Sequence, residues 1–254
     1  MYALHCSQFR FIFIRSKVYV QWYNYLADAK YHLPYEKDTI AFTIIGRPDM
    51  FEKAFKTFVC NRTSKPLVDI DYKFIMFYMK KIQQEYNNVD IILRNVRGHH
   101  SNLNTNIAAH VTGVAYRYTQ SDVLHYTWPK TKKPLEFAVH HKYGAWYTVP
   151  AVIVFRDFKL PSLLYPLPFD ALPSHEHRRY VLQSLHNGTM EWRHASFMPG
   201  RQPFSEEAKQ YFSSKFNQRI SIVKKTKQSC KEGRFTYFFK HILPAFMPIL
   251  GCCM

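Results

Sequence analysis

Glycine is scarce, at 8 of 254 residues, and no segment repeats; collagen-like chains, solenoids and coiled coils are excluded. Cysteine is also sparse: five residues, at positions 6, 60, 230, 252 and 253, form an odd set with no CxxC pair. That is poor material for a disulfide framework or a zinc finger, and free thiols are expected. No window approaches the roughly 20 uninterrupted apolar residues that a membrane span needs. Arg10, Arg15 and Lys17 break the N-terminal apolar stretch before a signal-peptide core reaches useful length. Without such a leader the glycosylation patterns at Asn61-Arg62-Thr63 and Asn187-Gly188-Thr189 carry no meaning. The closing Gly251-Cys252-Cys253-Met254 puts no cysteine fourth from the end, so it is not a prenylation box. A glycine-rich phosphate loop, GxSxG and HExxH are all missing, which removes the commonest catalytic signatures.

Carboxylates are in deficit as well. Eighteen acidic residues face 35 lysines and arginines, a formal charge of +17, which favours anionic partners. Aromatic residues reach 17%, enough to stack on flat ligands. With 47% hydrophobic and 21% charged residues the chain is globular, and its length suits one large domain, or one domain with a tail, burying roughly 70–75% of the unfolded surface. A soluble cytoplasmic protein is expected.

The β-branched run Asp38 to Gly46 predicts a buried strand. Pro48 and Asp49 then open a helix with Phe51, Ala54, Phe55 and Phe58 on one face. Asp69 to Tyr86 carries Ile75, Met76, Met79 and Ile82 at helical spacing, and Val89 to Leu93 is a short strand. Thr105 to Tyr118 reads as a helix, and Leu135 to His141 with Ala145 to Phe155 as a strand pair turning at Lys142-Tyr143-Gly144. The proline-rich stretch Leu160 to Pro173 is an ordered loop, and Ser174 to His186 is helical. Ser205 caps another helix with Glu206 and Glu207 in its first turn, where the dipole favours carboxylates. Beyond about Lys224 the pattern dissolves into a lysine-rich, loosely held tail. The fold class is α+β.

Asn102, Asn104 and Asn106 make an amide-rich start to the Thr105 helix, where unpaired N–H groups suit a ligand with many acceptors. Thr105, Ala109 and Gly113, at i, i+4 and i+8, leave one face nearly bare; His110 lies on the other side. Ordinary packing against the sheet, with His110 as a core histidine, is the plainer reading of the same spacing. Adjacent strand residues point to opposite faces, so His140 and His141 cannot share a metal; His175 and His177 fail on a helix for the same geometric reason. No metal site is expected. Arg193, Arg201 and Arg219 stand near aromatic residues, and arginine's fork matches carboxylates bidentately.

Several strings together resemble one family. They are Gln21-Trp22-Tyr23-Asn24, His32-Leu33-Pro34, Met50-Phe51, Ala108-Ala109-His110-Val111, Gly144-Ala145-Trp146-Tyr147 and Trp192-Arg193, then Phe204 to Phe212 followed by Gln218-Arg219. In this order they resemble the CblC (MMACHC) family of cytosolic cobalamin-processing chaperones. The resemblance divides the chain into an extension at 1–16, a processing domain at 17–223 and a basic, aromatic tail at 224–254.

The resemblance implies a fold, an activity and a set of contacts. The implied fold is a single domain, an antiparallel sheet flanked by helices, like flavin nitroreductases. The implied activity removes the upper axial ligand of base-off cobalamin. Cyanide leaves reductively with electrons from reduced FMN or FAD, ultimately from NADPH, or from a thiol. Alkyl groups transfer to glutathione, with a thiol-oxidase side activity. Cobalamin is then handed to a downstream trafficking protein and the methionine synthase system, and the loaded protein dimerises. By the same resemblance, cobalamin contacts map onto Leu103, Asn104, Thr105, Asn106, Arg117, Tyr118, Thr119, Ala138 and Val149, with His110 and Trp146 beside them. Glutathione maps onto Arg219 and Arg201. A third arginine of the family falls at Pro150, which has neither charge nor an N–H donor, so weaker glutathione binding and more leakage of electrons to oxygen are expected. A flavin nitroreductase acting on quinones or nitro compounds, and a basic nucleic-acid-binding module, are the rival readings; no nucleic-acid motif appears.

Overall fold

The structure of the protein is a computed structural model, which describes residues 12–62, 69–95, 103–124, 135–160, 162–189, 191–200 and 203–237. Their contacts cluster into two compact units, one of residues 1–50 and 71–203, the other of 51–70 and 204–254.

The first unit is built on an antiparallel sheet of β1 (Ile12–Tyr19), β2 (Thr39–Gly46), β6 (Thr148–Lys159) and β3 (Val89–Leu93), in the order β1-β2-β6-β3. The predicted strand is β2, and it is buried along nearly its whole length because it lies inside the sheet with both faces covered. Ile40, Ile44, Ile45, Ile153 and Val154 are 0–1% exposed. Val152 and Val154 of β6, Ala41 of β2 and Ile92 of β3 form one cluster with α1 (Val20–Leu26) and α4 (Thr105–Val111). The long helix α3 (Ile70–Glu85) buries Phe74, Ile75, Met79 and Ile82. Of the expected stripe only Met76 stays half-exposed.

Two expectations are corrected around α4. The helix stops at Val111 instead of running to Tyr118, because Gly113 adopts φ +68°, a left-handed conformation that ends helices. Residues Tyr116–Tyr118 then form β4, paired antiparallel with β5 (Phe137–Val139), in register Tyr116↔Val139. Gly113 is therefore off the helix and the bare face shortens to Thr105 and Ala109. As a consequence, and this is the second correction, β5 and β6 are not a strand pair. β5 bonds to β4, β6 bonds to β2 and β3, and only a bridge between His140 and Gly144 joins the turn between them. Residues 140–147 thus carry the chain from one sheet to the other.

That turn is pinned from outside. Gly144 (φ +56°) and Gly200 (φ +96°) face each other's segments, and a Cβ on Gly144 would lie 1.9 Å from the Pro199 carbonyl oxygen. The loop at 162–173 is ordered as expected: Pro166 packs on Gly113, and Tyr165 meets Trp22 edge-on at 4.9 Å. It leads into α5 (His175–His186).

In the second unit a wide π-turn over Phe51–Phe55 runs into α2 (Lys56–Asn61). With it belong α6 (Glu206–Ser213) and α7 (Phe216–Tyr237). Phe51 and Phe55 pack on Tyr211, while Ser205 caps α6 as expected, accepting from the Ala208 N–H at 3.1 Å. Lys56 bridges Glu52 and Glu207, each at 2.5 Å, and Thr226 donates to Glu207 at 3.0 Å. The tail expected from Lys224 onward is instead a continuation of α7 to Tyr237, with Val223 1% and Thr226 9% exposed. The expectation of free thiols is corrected too: Cys60 of α2 and Cys230 of α7 are disulfide-bonded, their Cα atoms 5.8 Å apart, within the span a disulfide requires. Cys6, Cys252 and Cys253 lie outside the described residues. Among the described residues no helix is long and apolar enough to cross a membrane.

Candidate functional site

Asn104 caps α4. Its side-chain oxygen accepts from the N–H groups of Asn106 (3.0 Å) and Ile107 (3.2 Å), using two of the helix's four orphan donors. Its own N–H donates to the Tyr23 hydroxyl at 2.8 Å; burial pushes that phenol up to about 12, so it stays neutral. The amide of Asn106 reaches the Glu136 carbonyl at 3.1 Å, tying the helix start to the approach of β5. Thr105, also at the helix start, is half-exposed. Asn102 lies outside the described residues.

One helical turn further, His110 accepts the Arg117 N–H on Nδ1 at 3.1 Å and meets Tyr116 edge-on at 5.4 Å. Burial, reinforced by the Arg117 charge and partly opposed by Asp122, holds its pKa below the ordinary value. His110 is therefore neutral at pH 7, with its proton on Nε2 as this hydrogen bond assigns it. The Arg117 guanidinium forms a fork with Glu136, Nε–Oε2 at 2.9 Å and Nη2–Oε1 at 2.6 Å. A carboxylate of the protein thus occupies the bidentate side of Arg117.

Ala138 and Val149 join Ala109, Ile45, Val114 and Ala115 in one apolar cluster roofed by Tyr147, whose hydroxyl donates to the Ala138 carbonyl at 3.3 Å. Burial raises the Tyr147 pKa, so its hydroxyl keeps its proton. Residues far apart in sequence (Ala109, Ala138 and Val149) therefore meet at the end of α4. Leu103 belongs to the neighbouring cluster under α1.

Tyr118 and Thr119 point elsewhere. Tyr118 is fully buried, stacked on Phe137, donating to Asp170 at 2.6 Å and accepting from the Leu172 N–H at 2.7 Å. Thr119 makes a capping box with Asp122. Trp146 is buried, with the Arg193 guanidinium 5.9 Å from its ring centre and the His194 ring at 5.0 Å. Pro150 is buried, and its carbonyl accepts from the Arg94 N–H of the neighbouring chain segment at 2.9 Å. The β3–β6 register, continued one residue, sets Arg94 directly opposite Pro150.

His140 clamps its own turn, accepting on Nδ1 from the N–H groups of Lys142 (3.0 Å) and Tyr143 (3.4 Å). Its ring stacks on that of His141 at 4.6 Å instead of pointing away, because the chain leaves the strand there and the alternation of a strand no longer applies. His177 stacks on Phe197 at 4.0 Å. Among the described residues no three His, Cys, Asp or Glu side chains stand together as a metal site would require.

Arg219 belongs to the second unit. Its Nε and Nη2 donate to the carbonyls of Ser214 and Phe212, each at 3.0 Å, closing the end of α6. Arg201 lies outside the described residues, although its neighbour Gly200 is held against Tyr143. Glu136, Tyr23 and Tyr147 were not among the site residues read from the sequence. A signal was present for Tyr147 in the Gly144-Ala145-Trp146-Tyr147 string and for Tyr23 in Gln21-Trp22-Tyr23-Asn24; Glu136 is placed only by tertiary packing.

Comparison with known proteins gives a consistent result. Residues 13–223 match the model of the methylmalonic aciduria and homocystinuria type C family. Proteins named cyanocobalamin reductase / alkylcobalamin dealkylase match from Gallus gallus, 29% identical over 208 residues, covering 80% of this chain and 87% of that one. The Homo sapiens protein of that name is 26% identical, covering 80% and 73%. A crystal structure of a C. elegans B12-trafficking protein CblC, described as a human MMACHC homologue, superposes with a TM-score of 0.69 at 19% identity, covering 86% of this chain and 91% of that chain.

Proposed function

The chain belongs to the methylmalonic aciduria and homocystinuria type C family, and from that premise we propose that it is a cyanocobalamin reductase and alkylcobalamin dealkylase. The observation that carries the proposal is the family match across residues 13–223, which includes every described part of the α4–β4–β5 region and the start of β6. The fold is in our reading that of the flavin nitroreductases, adapted to a larger substrate, and residues 17–223 are its processing region.

Cobalamin binds base-off, at the start of α4 (Leu103, Asn104, Thr105 and Asn106), at its far end (Arg117, Tyr118 and Thr119) and against Ala138, Trp146 and Val149. Because Tyr118, Thr119 and Arg117 use their side chains on the protein, their contacts with the substrate run through backbone groups. Ala109, Ala138 and Val149 present a water-poor apolar wall. His110 is a positioning residue: with Nδ1 occupied by the Arg117 N–H, only a donor, Nε2–H, is left to offer a substrate acceptor. Losing the nucleotide base removes a donor that stabilises oxidised cobalt, which makes reduction easier. The protein then contributes enclosure, electrostatics and orientation, and no metal ligand is required of it.

The chain would carry out two reactions. In decyanation, electrons enter cobalt and cyanide leaves with its bonding pair; reduced FMN or FAD supplies those electrons when bound, drawing on NADPH. In dealkylation the glutathione thiolate attacks the cobalt-bound carbon, a thioether forms, and the carbon–cobalt electron pair stays on the metal as cobalt(I). Arg219 and Arg201 hold the glutathione carboxylates, which arginine's fork matches bidentately. The product passes, in the cytoplasm, to a downstream carrier and the methionine synthase system, and the loaded protein forms homodimers.

The test is an anaerobic absorbance titration of methylcobalamin with purified protein, before and after glutathione. A base-off shift, then a cobalt(I) spectrum with S-methylglutathione formed, is the expected outcome. No base-off shift would overturn the proposal, and retained FMN without cobalamin affinity would replace it with a nitroreductase.

A further inference from the structure

We propose that the Cys60–Cys230 bridge is an exchange site for small anionic thiols, and that opening it frees the distal part of α7. The inference is independent of cobalamin chemistry and rests on three observations within the second unit.

The first is accessibility. Both cysteines are half-exposed, so a thiolate can approach the bridge without the unit unfolding. The second is charge. Between Asn217 and Cys230 the described side chains of α7 include Arg219, Lys224, Lys225 and Lys227 and no carboxylate; Lys227 lies three residues before Cys230, on the same helical face. On the other arm, Arg62 comes two residues after Cys60. Cations around a bridge draw in anionic thiols and stabilise the thiolate that leaves. The third is where α7 is anchored. Val223 and Thr226 are buried, and Thr226 is hydrogen-bonded to Glu207. None of residues 227–230 is buried. Past Thr226, Cys230 joins α7 to α2 covalently.

The step balances. A glutathione thiolate attacks one cysteine sulfur, the S–S bond breaks, and the other cysteine departs as thiolate. A second glutathione thiolate displaces the first cysteine from the mixed disulfide. Two glutathiones become one glutathione disulfide, and two electrons and two protons reduce the bridge to Cys60 and Cys230 thiols.

The experiment uses the full chain, purified without reductant. Alkylation and peptide mapping are expected to find Cys60 linked to Cys230, and millimolar glutathione to open the link in the folded protein. Hydrogen exchange across residues 227–237 is then expected to quicken on the order of tenfold or more, as for a segment losing its anchor. Cys60→Ser and Cys230→Ser are expected to show the fast exchange from the outset, unresponsive to glutathione. Opening by glutathione should slow several-fold as salt is raised, while opening by neutral 2-mercaptoethanol should not. Absence of the linked peptide, a bridge reducible only after denaturation, unchanged exchange on reduction, or equal salt dependence for the two thiols would each overturn the proposal.

Discussion

His110 shows how a single hydrogen bond assigns a chemical role. Because Nδ1 accepts the Arg117 N–H and burial disfavours the imidazolium, the folded pKa lies below the ordinary value of 6.5. The unfolded chain therefore binds more protons than the folded one in the window just below that value, and stability, complete above it, is lost as pH falls through the folded pKa. Urea midpoints are expected to drop between roughly pH 7.5 and pH 5.5, and His110→Asn, whose amide oxygen still accepts a hydrogen bond but cannot titrate, is expected to flatten that drop. An identical pH slope in the variant would show that other groups titrate instead. Pro150 sets a second residue-scale expectation. An arginine there would sit directly across from Arg94, and like charges facing across a strand pair destabilise by roughly 0.2–1 kcal/mol. Pro150 is also buried, so the guanidinium loses hydration as well, and Pro150→Arg should lower the melting temperature while reducing oxygen consumed per cobalamin dealkylated. If oxygen consumption does not fall, the expectation that Pro150 promotes electron leakage is wrong.

Among the elements, the turn at 140–147 is the most constrained. It carries the chain from β5 to β6, and it is seated by Gly144 and Gly200, each in the left-handed region and each pressed against the other's segment. Gly144→Ala meets the Pro199 carbonyl as well as an unfavourable φ, whereas Gly188→Ala meets only the φ, +75°, with nothing within 4 Å. The first is expected to cost more than about 2 kcal/mol and the second about 1 kcal/mol, measured as chemical-denaturation midpoints. Equal losses would mean that the turn yields and that the glycine pair does not pin it. The same scale explains why the helix expected over 105–118 is only seven residues long. Gly113 ends it, and the freed residues Tyr116–Tyr118 pair with β5, which brings Ala138 to Ala109.

For the molecule as a whole, α7 alters the division of the chain. The family match ends at residue 223, yet the helix runs through that position, and Thr226 and Cys230 tie it to α6 and α2. A chain ending at Val223 is expected to lose thermal stability, whereas a dispensable tail would leave the midpoint unchanged. A bridge closing a loop of 170 residues accounts for up to about 5 kcal/mol of that loss through the unfolded state, less whatever strain the native bridge carries. The shortened chain should respond no further to reductant.

Local pattern alone determined β2, α3, β3, α5 and the cap of α6, because a buried strand, an amphipathic helix and an N-cap are written within a few consecutive residues. It also marked the α4 start, since Asn104 before an apolar helical run is a capping signal. The family strings extended that reading to function. The partner of each strand was not legible: β5 looks like the mate of β6, and its pairing with β4 depends on contacts made across the fold. Nor was the engagement of Arg117 by Glu136, the fixed tautomer of His110, or the meeting of Cys60 with Cys230. Each joins groups by distance in space, and hydrophobic period, charge and spacing along a chain carry no term for that.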